Sequence, residues 1–132
     1  MPRAVLIVGQ DPDTVDFTDP ALPPGMDAGK VRAGLALAQK LLGEAGFVAD
    51  LCLTDTGETA EAVIAAQLAG RTYDCVVIGA GIRLPAASLL LFEKVVNAVH
   101  RHAPGAPIAF NTTPADSAAA ALRWVRATEA AG

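Results

Sequence analysis

The sequence predicts an α/β protein of the three-layer, doubly wound kind: one parallel sheet with helices packed on both faces. Three observations predict it. Residues 4–8 (AVLIV) and 74–79 (DCVVIG) are almost wholly apolar and lead into or end in glycine, and strands of that composition need cover on both faces. Elsewhere the apolar spacing alternates between two and three-to-four, the signature of strand followed by helix. Four such pairs follow one another, (βα)4, and repeated βα units demand parallel strands joined by right-handed crossovers. The most apolar strands, the first and third, belong in the centre, so the predicted strand order is 2-1-3-4.

The elements follow in order. Strand one, residues 4–8, ends at Gly9; residues 10–25 then lose all periodicity among Asp, Pro and Thr and read as a long loop. Val31, Leu35, Ala38 and Leu42 form a helical stripe that stops at Gly46. Residues 47–53, with Leu51 and Leu53 at alternate positions, read as a shorter, edge-like second strand. Thr56 or Thr59 is placed to cap a helix carrying Val63, Ile64 and Leu68 and ending at Gly70. After strand three, Leu89, Phe92, Val95, Val96 and Val99 make a third stripe, stopped by Pro104-Gly105. Residues 107–110 are a short fourth strand. In the last helix Thr113 is the expected cap, Pro114 the first residue and Asp116 the third, an Asp version of the capping box. Leu122 and Val125 are expected to face inward, and the chain stops at Gly132.

Length and composition bound the function. The 132 residues suit a single domain, 1–132, large enough to bury about two thirds of its unfolded surface. A 52% hydrophobic share, 18% charged residues and a mean hydropathy of +0.39 exclude disorder. No apolar run approaches the roughly 18 residues of a membrane span, so no membrane partner is expected. A net charge of −4 without a basic block makes nucleic acid a poor partner. Met1-Pro2-Arg3 runs straight into a strand, with no secretory signal, so a cytoplasmic protein is expected.

This layout resembles that of flavodoxin-like and receiver-like domains with one strand fewer. The chain as a whole resembles small uncharacterised bacterial α/β proteins of that layout, and the resemblance implies no activity. In such sheets ligands lie outside the carboxyl ends of the strands, at the switch point between the first and third. Segments 9–27, 79–88 and 111–116 converge there. The candidate ligand-binding residues are therefore Gln10, Asp11, Asp13, Gly79, Gly81, Arg83, Asn111, Thr112 and Thr113. Gly79 and Gly81 let backbone N–H groups approach a ligand, and Arg83 is the expected anchor for its phosphate or carboxylate.

Several segments carry motif-like spacing. Between Asp11 and Asp27 stand five aspartates and no Lys or Arg, with prolines at 12, 20, 23 and 24. A loop of this length is functional or disordered, and the prolines favour an ordered lid. Asp11-Pro12-Asp13-Thr14-Val15 resembles the DxDx[TV] motif of haloacid-dehalogenase-like phosphotransferases, whose paired carboxylates hold Mg²⁺ and attack phosphate. That family's later acidic pair and lysine have no counterpart here, and a solvated turn with Asx caps is the simpler reading. Receiver domains place a phosphoacceptor Asp after strand three, where this chain has Gly79-Ala80-Gly81. The stretch from Val76 to Pro104 is similar to the last βα unit of universal stress proteins, nucleotide binders with a glycine-rich turn, but lacks their later Gly-Ser/Thr pair. Gly25-Met26-Asp27-Ala28-Gly29-Lys30-Val31 is one residue short of a Walker A loop and reads as a helix start capped by Asp27.

His100 and His102 point to opposite sides of a helix and cannot share a metal. Cys52 and Cys75 fall on strands separated by the first strand, roughly 9–10 Å apart, too far for a disulfide. No metal site is expected, and no cofactor is named by any motif. Trp124, one residue off the apolar stripe, suggests a contact surface and a homodimer. Three readings follow. The first is a non-catalytic ligand-binding or regulatory module for a small anionic metabolite or nucleotide. The others are a small enzyme using Asp11 or Asp13 with Arg83 and Thr112, and a dimeric interaction module.

Overall fold

Successive residues of β1 (Arg3–Gln10) point to opposite faces of the sheet, and both faces are covered, which is why the strand is apolar throughout. The structure, a computed structural model, describes residues 3–126. The expected start at Met1-Pro2 and end at Gly132 lie outside those residues. Ala4, Leu6 and Val8 pack with Ile64 and Leu68 of α2 (Ala60–Gly70) and with Val95 and Val99 of α4 (Leu89–His102). Val5 and Ile7 pack on the other face with Leu35, Ala38 and Leu42 of α1 (Ala28–Glu44) and with Ala118 and Ala121 of α5 (Ser117–Leu122). β3 (Cys75–Ile78) divides its residues the same way, so Cys75 joins one core while Cys52 joins the other. The two thiols are separated by the sheet as well as by a strand.

The four strands, completed by β2 (Phe47–Thr54) and β4 (Ile108–Phe110), are all parallel and in the order β2-β1-β3-β4. This is the flavodoxin-like layout with one strand fewer. Among the described residues no helix is long and apolar enough to cross a membrane.

Local features depart from the sequence reading in four places. β2 is an edge strand but not a short one: it pairs with β1 from Arg3↔Phe47 to Gln10↔Thr54 and is twice as long as β3. Main-chain pairing, not apolar content, sets its length. Thr59 occupies the cap position of α2 without a side-chain cap bond. Asp55 does that work, its carboxylate accepting from the N–H groups of Gly57 and Thr59. The turn after β3 is one helical turn, α3 (Ala80–Arg83), then a 3-10 turn at Ala86–Ser88, before α4 begins. Leu89, expected on the buried stripe, is therefore at the protruding start of α4 and exposed, and Leu91 is buried instead. Leu122 is likewise exposed, because the small side chains of Ala118, Ala120 and Ala121 let α5 lie close to the sheet on their own face.

Candidate functional site

The turn leaving β3 passes over β1 at close range. The Gly79 N–H donates to the Val8 carbonyl at 2.9 Å, and a Cβ at residue 79 would lie 3.4 Å from that same oxygen. A Cβ at 79 would sit in ordinary contact with that oxygen, so the meeting of the two strand ends does not itself require glycine. Asn111, fully buried at the end of β4, ties the neighbouring segments together. Its Oδ1 accepts from the Ala80 N–H at 2.7 Å and its Nδ2 donates to Ser117 Oγ at 2.9 Å. Below it the predicted capping box forms: Asp116 accepts from the N–H groups of Thr112 and Thr113 and from Thr112 Oγ1. Burial pulls the Asp116 carboxyl up, and these hydrogen bonds outweigh it, leaving the group below the ordinary carboxylate range.

Segment 11–27 is ordered by its own acids. Asp11 caps the 3-10 turn Pro12–Thr14 by accepting from the Asp13 N–H. Asp16 accepts from Thr18 and Asp19 from the Ala21 N–H. The Thr18 hydroxyl, and then its N–H, hold the Asp16 carboxyl below its usual range. Asp27 caps α1 through the Lys30 N–H at 2.8 Å, as the helix-start reading predicts. The missing cation arrives from the next helix: Arg32 grips Asp13 through two hydrogen bonds of 3.2 and 3.0 Å and lies 3.6 Å from Asp11.

Between this segment and the strand ends lie two adjoining spaces. The first is a partly covered, mostly carbon-lined pocket of ≈ 70 Å³. Ile7, Val8, Leu35 and Ile82 form its floor and walls, and Val15, Phe17, Leu22, Pro23 and Met26 roof it. The second is a more open, polar groove of ≈ 210 Å³ on the α4 side, bordered by Thr14, Asp16, Asp19, Thr56 and Ser88. Gln10, Val15 and Gly81 line both and form the ridge between them. A Cβ at Gly81 would meet no atom within 4 Å, so that position faces open space.

The structure therefore gathers some of the sequence candidates and disperses others. Gln10, Gly79, Gly81, Asn111, Thr112 and Thr113 line the cavity. Asp11 and Asp13 line neither space and are engaged with Arg32. Arg83, the expected anion anchor, also lines neither. Its guanidinium donates to the Asn111 carbonyl at 2.6 Å and lies 5.7 Å from the Phe110 ring centre, leaving a buried Nε without a hydrogen-bond partner. The reason is the helical turn Ala80–Arg83, which carries residue 83 around to the β4 side. The roof residues were absent from the sequence reading. Their signal was present: apolar residues at 15, 17, 22 and 26 inside an otherwise acidic, proline-rich segment. No known protein family, curated protein or solved structure matches the chain.

Proposed function

We propose that the chain is a non-catalytic ligand-binding or regulatory module that holds a small molecule at the carboxyl ends of β1 and β3, beneath segment 11–27. One observation carries this reading: a mostly apolar pocket lies where sheet topology puts ligands, covered by the five apolar side chains of that segment. The state of the polar groups supports binding over catalysis. Asp11 and Asp13 pair with Arg32, Arg83 bonds the Asn111 carbonyl, and Thr112 bonds Asp116, so the groups an enzyme would present to substrate are bound within the protein. The test is backbone amide shift mapping of the full chain against nucleotides, sugar phosphates, carboxylates, amines and alcohols, with and without Mg²⁺. Shifts gathered on residues 79–82 and on Leu22, Gly25 and Met26 are expected; a ligand that moves only amides elsewhere overturns the reading.

A second reading keeps the anion. The Arg83 Nε is buried without a hydrogen-bond partner, and a carboxylate or phosphate would bond this guanidinium if the side chain turned out from the Asn111 carbonyl. Arg83→Ala would then weaken an anion about 10- to 150-fold, the worth of a charge-assisted bond of about 1.5–3 kcal/mol. An unchanged anion affinity rejects it. Self-association is proposed on separate grounds: Leu89, Leu90 and Trp124 are each more than 60% exposed. Sedimentation at tens of micromolar should give a dimer, and a monomer of about 13 kDa ends that proposal.

A further inference from the structure

We propose that the ligand is a small amphiphile without negative charge: a branched aliphatic end seated under segment 11–27 and a hydroxyl or amine end in the adjoining groove. This rests on the crevice reading above and gives its ligand a chemical class.

The pocket is mostly apolar in lining, and the polar side chains that reach its wall are largely engaged within the protein. Asn111 has spent its oxygen on the Ala80 N–H and its amide on Ser117, the Gln10 amide donates to Thr14, and the Thr112 hydroxyl donates to Asp116. The N–H groups of Thr112 and Thr113 are spent on Asp116. Water is held in a cavity by several free polar partners, and a cavity without them suits carbon. Its ≈ 70 Å³ sets the size. A cavity of about 150 Å³ accepts a benzene ring and a water takes about 30 Å³ of liquid, so the buried end amounts to about two or three methyl-sized groups. Drug-sized ligands and nucleotides need sites of about 300 Å³ or more.

The groove decides the other end. Its polar border is hydroxyl, amide and carboxylate, from Gln10, Thr14, Thr56, Ser88, Asp16 and Asp19. None of the described residues lining either space is Lys, Arg or His. An anionic head would face like charge without a counter-ion, whereas a hydroxyl or ammonium finds acceptors. The two spaces share Gln10, Val15 and Gly81 in their linings, and a side chain at 81 would meet no atom within 4 Å, so a molecule lying across that ridge touches both.

The experiment is amide shift mapping on the full ¹⁵N-labelled chain with isobutylamine, isobutanol, ethylamine and isovalerate. Isobutylamine and isobutanol should move the amides of residues 79–82 and of Leu22, Gly25 and Met26. Ethylamine should bind about fourfold to tenfold more weakly per carbon removed, and isovalerate should leave those amides in place. Gly81→Leu should keep the native spectrum and lose the isobutyl probes. The proposal is overturned if isovalerate binds there as tightly as isobutylamine, or if ethylamine matches it. A natively folded Gly81→Leu with unchanged affinity overturns it too. The probe series needs no variant, so a Gly81→Leu chain that fails to fold does not shield the proposal. If the isobutyl probes fail while a sugar phosphate moves the same amides, the ligand class falls and the crevice reading stands. If no compound of either panel moves them, both fall.

Discussion

Gly34 and Gly43 lie on the same helix, and replacing each by alanine should change stability in opposite directions. Alanine is favoured over glycine in a helix by up to about 1 kcal/mol, and this gain applies at both sites. A Cβ at residue 43 would meet nothing within 4 Å. A Cβ at residue 34 would stand 2.9 Å from the Ala115 nitrogen and 2.9 Å from Pro114 Cβ. Neither neighbour yields easily: one is backbone, the other a proline ring, and both belong to the turn held by the Thr113–Asp116 capping box. Overpacking of this kind costs about 1–3 kcal/mol. Gly43→Ala should therefore be stabilising by up to about 1 kcal/mol, less near the helix end, and Gly34→Ala destabilising by up to about 2 kcal/mol. The two variants should differ by about 1–3 kcal/mol, the overpacking cost, since the propensity gain largely cancels. Urea unfolding followed by circular dichroism reads this directly. With a slope of about 2 kcal/mol per molar for a chain this size, the two midpoints should stand roughly 0.5–1.5 M apart. Equal midpoints, or Gly34→Ala the more stable, would refute the close approach of α1 to that turn. Pro114 also lines the cavity, so Gly34→Ala should shift the amides of residues 112–116 in the folded protein.

Three further outcomes are expected. Tyr73 is the single tyrosine, and burial, with its hydrogen bond to Asp50, pushes its hydroxyl up from 10.0 to about 12. Its absorbance titration should centre near 12, and stability should be full below about pH 10 and fall between the two values; a midpoint at 10 in the folded protein contradicts the buried contact. The depressed Asp116 carboxyl contributes stability above its unfolded value of 3.8, lost as pH falls through the folded value. The stability gap between wild type and Asp116→Asn should accordingly hold constant well above 3.8 and narrow as pH falls below it, and a gap that stays constant into acid would contradict it. Burial raises both thiols, Cys75 to about 11. Native protein should thus resist a thiol reagent until unfolded, and fast labelling of either cysteine in the native state would show the cores to be open.

What the sequence determined by itself is what repeats locally or follows from topology. The apolar runs of β1 and β3, the stripe of α1, the cap at Asp27 and the capping box at Thr113–Asp116 all arise within a few residues of one another. The strand order follows from them because only the most apolar strands tolerate two covered faces. The tertiary structure decided whatever depends on a neighbour far along the chain. Periodicity reports that a residue is buried but not what it is buried against. So the acids of segment 11–27 counted as unpaired charge until α1 brought Arg32 to Asp13. Arg83 counted as an anion anchor until one turn of helix carried it to the Asn111 carbonyl. Val15, Phe17, Leu22 and Met26 have no regular period, because a loop has none; they form a roof only once the ends of β1 and β3 lie beneath them. Nothing in the stripe of α1 marks Gly34, and only the approach of Pro114 and Ala115 shows that a side chain there would collide.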